Sequence, residues 1–135
     1  MIIHEIPNFI QVSYHDDKHY ILFDWTDFYV TLDEIKTIHH KAFETALDKQ
    51  CFYYIAETSK VKNILRPEVL TWFGSEWVPV LSKGGLKAII TVVPSSGLAT
   101  LSTRDWQSGV VGTIIQKNVR NLAEAEAYIL QLQQK

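Results

Sequence analysis

The amino-acid sequence predicts an α/β domain with a mixed, mostly parallel sheet that is led by an N-terminal antiparallel hairpin, with helices packed on the sheet. Two segments near the N-terminus alternate apolar and polar residues with the period of two that strands show. Beyond them, segments of helical periodicity alternate with short, almost wholly apolar runs, which is typical of strands joined by crossover helices. No internal repeat or linker-like stretch is present, so we expect residues 1–135 to form a single domain.

The composition is that of a folded chain with little net charge. Hydrophobic residues make up 47% and aromatic residues 12% of the sequence, whereas disordered segments are poor in both. The formal net charge is −2 and no block of like charges occurs, which argues against a general electrostatic binder of nucleic acid or of a membrane surface. No apolar run approaches the ~20 residues that span a bilayer, and the N-terminus lacks the pattern of a secretory signal. We therefore expect a soluble, cytoplasmic protein without stable membrane insertion.

The N-terminal hairpin is predicted between residues 9 and 26. Apolar and polar side chains alternate in Phe9–His15, which is typical of a strand with one solvated face. A polar turn at residues 16–18 separates this strand from His19–Thr26, which is rich in the aromatic and branched residues that strands favour. We expect the two strands to pair with each other.

The first helix is predicted from the capping residue Thr31 to about Lys49. Thr31 and Glu34 have the spacing of a capping box, in which the Thr31 hydroxyl accepts from the Glu34 amide and the Glu34 carboxylate accepts from the Thr31 amide. An apolar stripe follows at helical spacing. Its members are Ile35, Ile38, Ala42, Phe43 and Ala46.

Two strands of the buried type flank a second predicted helix. The strands, Cys51–Glu57 and Leu86–Val93, are nearly continuous apolar runs, as expected where a sheet is covered on both faces. Pro67 suits the first turn of the helix because its missing N–H would be unpaired there, and a Gly-Gly pair ends the helix. Pro79 predicts a kink in the last turns, because proline cannot donate to the carbonyl four residues earlier.

The C-terminal part adds a strand and a helix. Thr113–Val119 alternates as a strand, and Asn121 with Glu124 repeats the capping signal. A stripe for the terminal helix follows: Leu122, Ala125, Ile129 and Leu132. Between Ser95 and Gln107 the pattern indicates a short helix, although the Ser and Thr residues there are weak helix formers. The predicted element order is β-β-α-β-α-β-α-β-α.

This order resembles the STAS domain, the fold of bacterial anti-sigma-factor antagonists. More closely, it is similar to small single-domain proteins described as STAS-like or SEC14-like, many of them bacterial. The resemblance covers nearly the whole chain, and its most local likeness is residues 56–61 (AETSKV), which resemble the acidic-x-Ser-x-Val stretch after the third strand of antagonists. It implies a non-catalytic regulatory or protein-interaction domain, with a protein partner or self-association as a homodimer.

The likeness ends at the regulatory phosphorylation site. Antagonists carry a phosphorylatable Ser or Thr at the start of the second helix, whereas Asn63–Glu68 of this chain contains no hydroxyl. The phosphoswitch therefore has no matching residue, and Ser59 is the nearest candidate regulatory site. The alternative is that the Ser59 hydroxyl bonds to local backbone in its loop.

No set of residues predicts a catalytic, cofactor-binding or metal site. On a helix His39 lies within the apolar stripe and His40 points about 100° away, so we expect His39 at the core boundary and His40 in solvent. Cys51 opens an apolar run, which favours a small buried hydrophobe over a reactive thiol. Asp24 belongs to the wetter face of its strand, and Ser95-Ser96-Gly97 (residues 95–97) is better explained as a turn than as an anion site.

The aromatic residues leave two hypotheses about binding. Trp72 is predicted on the flank of the second helix, half-exposed, and Trp106 lies in the least regular segment. Together with Glu76 they form the predicted interaction surface, although a flanking Trp can instead simply cover the core edge. The leading hypothesis is contact with a protein. The second is a binding module for a lipid-like or other apolar small molecule, which follows from the aromatic content and the SEC14-like resemblance, and an enzyme is the third.

Overall fold

A computed structural model describes residues 1–93 and 114–134 of the chain. Its six strands are β1 (Ile2–Ile6), β2 (Ile10–His15), β3 (Tyr20–Trp25), β4 (Tyr53–Glu57), β5 (Ala88–Val92) and β6 (Ile115–Val119). Its helices are α1 (Leu32–Lys49), α2 (Pro67–Trp72), a π turn (Phe73–Trp77), α3 (Val78–Gly84) and α4 (Leu122–Gln133). Each strand that the sequence predicts is present, with boundaries that differ by no more than two residues.

The strands form one mixed sheet in the order in which they occur along the chain, β1-β2-β3-β4-β5-β6. β1, β2 and β3 pair antiparallel, whereas β4, β5 and β6 each run parallel to the preceding strand. The predicted α/β class, with an antiparallel N-terminal hairpin and parallel strands after it, is confirmed.

β1 was not predicted from the sequence. It has only five residues, and it pairs with β2 through a turn at residues 7–9 in which Asn8 has a φ of 74°. Asn tolerates this left-handed conformation better than most side chains do. The sheet therefore begins with a three-stranded antiparallel unit rather than with a two-stranded hairpin.

Helices cover both faces of the sheet. We call the front face the one that carries Phe23 and Tyr54, and the back face the one that carries Tyr20 and Ile55. The front face packs against α1, α2, the π turn and α3, whereas α4 packs on the back face over β4, β5 and β6. Two hydrophobic cores result, which explains why β4 and β5 are apolar on both sides.

The capping box predicted for α1 is present. The Glu34 amide donates to Thr31 Oγ1 over 3.1 Å, and the Thr31 amide donates to Glu34 Oε1 over 2.9 Å. The predicted stripe faces inward, and His39 is buried with it. The cap shows where the helix begins, and the stripe shows which side packs on the sheet.

Pro79 disturbs its helix in a specific way. The Val78 amide donates to the carbonyl of Phe73, five residues earlier, and so closes a π turn just before the proline. The wide turn accommodates the missing N–H of Pro79. Instead of a simple kink, the helix therefore contains a π turn with one inserted residue. α3 then ends at Gly85, whose φ of 96° is a left-handed conformation suited to glycine.

The last helix, α4, is capped at its N-terminus and is bonded to residues at the start of β3 and in the turn before it. Asn121 Oδ1 accepts from the Glu124 amide over 2.9 Å, as the capping signal predicts. Further along α4, Glu126 accepts from the Tyr20 hydroxyl and pairs with Lys18 Nζ at 3.1 Å. The C-terminal helix is thus fastened to the turn between β2 and β3.

Some predictions fall on residues that the structure does not describe. The predicted short helix within Ser95–Gln107, the Ser95–Gly97 turn and Trp106 all lie outside the described ranges. The complete order β-β-α-β-α-β-α-β-α is therefore tested only in part.

We expect Thr31→Ala to lower the free energy of unfolding by about 1 kcal/mol, because it removes the hydroxyl that satisfies a terminal amide of α1. Urea unfolding followed by circular dichroism measures the change. Thr37→Ala is the matched control, because the Thr37 hydroxyl donates to the Asp33 carbonyl within the helix and its loss should cost much less. Equal losses in both variants would contradict the role of the cap.

Candidate functional site

A small chamber lies between the front face of the sheet and helices α1 and α2. Its volume is about 50 Å³. Its floor is a row of register partners across three parallel strands: Phe23 on β3, Ala56 on β4 and Thr91 on β5. Because Ala56 is the smallest of the three and stands in the middle, the row leaves space at its centre.

The wall of the chamber is largely aromatic. Five aromatic side chains take part, and they come from strands, a loop and the π turn: Phe23, Trp25, Phe28, Tyr54 and Phe73. Helix α1 contributes Ile35 and His39. Among the described residues no Lys, Arg, Asp or Glu lines the chamber. It is therefore an apolar space.

The position of the chamber is that of many ligand sites in α/β proteins. Trp25 ends β3, Thr58 follows β4 directly, and Thr91 is near the end of β5. The chamber thus lies toward the carboxyl ends of the parallel strands, where ligands of open α/β sheets commonly bind.

His39 is a buried polar group in this wall without a hydrogen bond at one ring nitrogen. Its ring stacks on Phe23 with the centroids 5.2 Å apart, and Phe73 is at 5.3 Å. No hydrogen-bond partner for Nδ1 is found among the described residues. Burial of the charged form, together with repulsion from His40, lowers the pKa of His39 to about 3. The imidazole is therefore neutral at pH 7.

Tyr54 is a second buried group of this kind. Only 2% of the residue is exposed, and its hydroxyl finds no partner within the described part of the chain. Burial, and to a smaller extent the nearby Cys51, raises the pKa of Tyr54 far above its ordinary value. The Phe23 ring contacts both polar residues, since its centroid is 4.9 Å from that of Tyr54. Tyr54 and His39 thus flank the same aromatic ring.

Two loops that contribute to the wall are clasped to each other. The Phe28 amide donates to Asn63 Oδ1 over 3.0 Å, and Asn63 Nδ2 donates to Asp27 Oδ1 over 2.7 Å. Arg66 adds a second connection, because its Nε donates to the Val30 carbonyl over 3.0 Å. We call this set of contacts, between loop residues 26–31 and loop residues 58–66, the clasp.

The expected half-exposure of Trp72 is wrong. Only 6% of Trp72 is exposed, and its ring stacks on that of Trp77 with the centroids 5.4 Å apart. The expectation assumed 3.6 residues per turn, whereas the π turn inserts a residue and brings Trp72, Phe73 and Trp77 together on the inner side.

The other predicted site residues have different surroundings. Glu76 is exposed on the outer side of the π turn. Ser59 is half-buried, and its amide donates to Glu57 Oε1 over 2.8 Å. Trp106 lies outside the described ranges. Of the two predicted interaction residues that the structure describes, Trp72 is buried and Glu76 is exposed, so these two do not share one exposed surface.

Other candidate chemistry is accounted for by ordinary contacts. Cys51 is buried, and burial raises the pKa of its thiol. Asp24 pairs with Lys60 at 3.1 Å. Within residues 1–93 and 114–134, no three His, Cys, Asp or Glu side chains are grouped so that they could hold a metal ion. In the same ranges no helix is both long and apolar enough to cross a membrane.

The sequence expectations for the two histidines are met, since His39 is buried and His40 is exposed. The chamber itself was not predicted. Its sequence signal is slight: a single Ala between larger residues in a buried strand, which becomes meaningful only once the register with β3 and β5 is known.

Comparison of the chain with models of protein families, with curated proteins and with solved structures finds no match. The resemblance to STAS domains consequently stays a prediction.

We expect His39 to make the stability of the protein fall in mild acid. The pKa of His39 is about 3 in the folded state against 6.5 ordinarily, so between these pH values only the unfolded chain binds this proton. Above pH 6.5 the imidazole is neutral in both states and does not affect the pH dependence, whereas below it the free energy of unfolding decreases by about 1.4 kcal/mol per pH unit. Urea unfolding of the native protein and of His39→Phe at pH 7, 6 and 5 measures this contribution.

The exposed neighbour provides the control for this measurement. His40→Gln should keep the pH dependence of the native protein, whereas His39→Phe should lose part of it. If His39→Phe and the native protein lose stability in parallel as the pH falls, His39 is not the group responsible.

Proposed function

We propose that the protein is a non-catalytic binding module for a compact apolar molecule, and that the molecule occupies the chamber. The observation that carries this proposal is an unfilled, apolar space at the carboxyl ends of the parallel strands, where ligands of open α/β sheets commonly bind.

The energetics favour an occupant over an empty space. A void loses the dispersion contacts that a closely packed interior provides. A ligand that fills the chamber recovers these contacts. The π turn beside it supports the same conclusion, because π turns within α-helices are frequent at functional sites.

The size of the chamber limits the ligand. A benzene molecule occupies an engineered cavity of about 150 Å³ in another protein, whereas this chamber has a volume of about 50 Å³. Pockets for drug-sized molecules are roughly 300–1,000 Å³. The chamber as it stands therefore suits a molecule of a few non-hydrogen atoms rather than a lipid chain.

We expect Ala56→Val to weaken binding while leaving the fold intact. The two added carbons enter the middle of the chamber floor, so a compact apolar probe such as dichloromethane should bind at least about tenfold more weakly. The free energy of unfolding should rise by about 1 kcal/mol, because the added carbons bury apolar area in existing space. Titration followed by two-dimensional NMR measures binding, and urea unfolding measures stability.

Ala123→Val is the matched control, because Ala123 is exposed on α4 and lies away from the chamber. It should bind the probe as the native protein does. If the native protein shows no saturable binding of dichloromethane, or if Ala56→Val binds it equally well, the chamber is not the binding site.

The finer assignment of the fold is part of this proposal. We infer a STAS-like domain in a cytoplasmic protein, and the support is the described order of elements together with the antiparallel N-terminal strands. In that setting a ligand in the chamber would serve regulation rather than turnover.

A second candidate function is self-association through the solvent-facing side of the π turn and α3. Val80 is 41% exposed, and it lies four residues after the exposed Glu76, so the two share one side of the helix. An exposed apolar side chain next to a charge is consistent with a small contact surface between two copies of the chain.

We expect Val80→Asp to lower the molecular mass in solution from that of a dimer to that of the 15.5 kDa monomer, because the new carboxylate would be buried in the contact. Light scattering after size exclusion measures the mass. Leu130→Asp is the control, since Leu130 is 56% exposed on α4 and should leave the mass unchanged. A native protein that is already monomeric at high concentration would contradict self-association.

A further inference from the structure

We propose that the clasp is the entrance of the chamber: molecules pass between the loop that carries Phe28 and the loop that carries Leu65, and the hydrogen bonds of Asn63 limit how fast they do so. This inference rests on the proposed function, because it concerns access to the same chamber. It assigns to Asn63 a role in the rate of binding rather than in its strength.

The first step is to find the part of the wall that can move. Most of the described lining residues belong to strands, helices or the π turn, whose backbone is hydrogen-bonded along its length. The others, Phe28, Thr58 and Leu65, lie in loops. Thr58 is tied to the sheet, because its amide and its hydroxyl both donate to the Val92 carbonyl. Phe28 and Leu65 are therefore the lining residues that can be displaced without breaking the sheet or a helix.

The second step is that the wall is thin at these two residues. Phe28 is buried, whereas the next residue, Tyr29, is exposed. Leu65 is buried in the same way, and the residue before it, Ile64, is exposed. In both loops a side chain that lines the chamber is thus adjacent to one that faces solvent. A single layer of loop separates the chamber from solvent here, so a modest displacement of the loops connects the two.

The third step is that one side chain fastens the two loops together. Asn63 Oδ1 accepts from the Phe28 amide over 3.0 Å, and Asn63 Nδ2 donates to Asp27 Oδ1 over 2.7 Å. The second of these bonds has a carboxylate acceptor, which makes it stronger than a bond between neutral groups. Arg66 adds the bond from its Nε to the Val30 carbonyl. Asn63 thus holds the backbone of the wall residue Phe28 itself, whereas Arg66 supports its loop farther along.

The bonds of Asn63 act on the rate of exchange and not on the affinity. They are present whether the chamber is empty or filled, and they are broken only while a molecule passes between the loops. Their loss therefore lowers the barriers for entry and for exit by the same amount. The dissociation constant is the ratio of the two rate constants, so it stays unchanged.

Asn63→Ala tests the inference, with dichloromethane as the probe. The variant loses two hydrogen bonds of the clasp, so we expect the association and dissociation rate constants both to rise about tenfold, while the dissociation constant changes by less than about twofold. Titration at pH 7 followed by two-dimensional NMR gives the dissociation constant. Relaxation dispersion of the amides around the chamber, with the probe present, gives the rate constants.

Asn121→Ala is the matched control. It also removes an Asn oxygen that accepts from a backbone amide, that of Glu124, but it does so at the cap of α4 on the back face. Its exchange rates should equal those of the native protein.

Arg66→Met is a second variant of the clasp, because it keeps the length of the side chain and removes the donor to Val30. Both rate constants should rise about threefold, since one hydrogen bond is lost instead of two. This variant leaves the bonds of Asn63 in place, so its result decides the matter even where Asn63→Ala does not fold.

The outcomes separate this inference from the proposed function. If dichloromethane binds but exchanges at the native rates in Asn63→Ala and Arg66→Met, or equally faster in Asn121→Ala, the clasp is not the entrance and the chamber is still a binding site. A changed dissociation constant with an unchanged association rate constant also overturns the inference, because Asn63 then acts on affinity. If the native protein does not bind dichloromethane, both fail.

Discussion

The parallel pairing of β3, β4 and β5 is the constraint on which the rest of the structure depends. It places Phe23, Ala56 and Thr91 in one row, and a shift of one residue in any of these strands would turn its side chains to the opposite face. The same register directs Ile55 and Ile90 toward α4. A single set of backbone hydrogen bonds thus defines the front chamber and the back core together.

Much of this fold follows from local patterns of a few residues, which can be recognised in the sequence alone. The capping box at Thr31 and the glycine after α3 act within a few residues, and their geometry is the expected one. The short β1 cannot be predicted from such patterns, because its five residues have mixed side chains and form a strand only through pairing with β2. Its existence depends on a tertiary contact, which local pattern does not record.

The candidate site is harder to predict because it arises from contacts between distant segments. The burial of Trp72 depends on an inserted residue in the π turn, whereas helical periodicity alone places it on the flank, about 100° from Phe73. The chamber depends on the small side chain of Ala56 lying opposite two larger residues. The burial of His39 was expected, but its missing partner is visible only when all neighbouring side chains are in place.

The clasp has a consequence for the rate at which the chamber exchanges its contents. Its hydrogen bonds join two loops that each contribute a wall residue, Phe28 and Leu65. For a molecule that passes between these two loops, the time it spends inside is governed by local unfolding of the loops as well as by its own contacts. Slow exchange can then accompany modest affinity, and the chamber would retain a bound molecule long after its concentration outside has fallen.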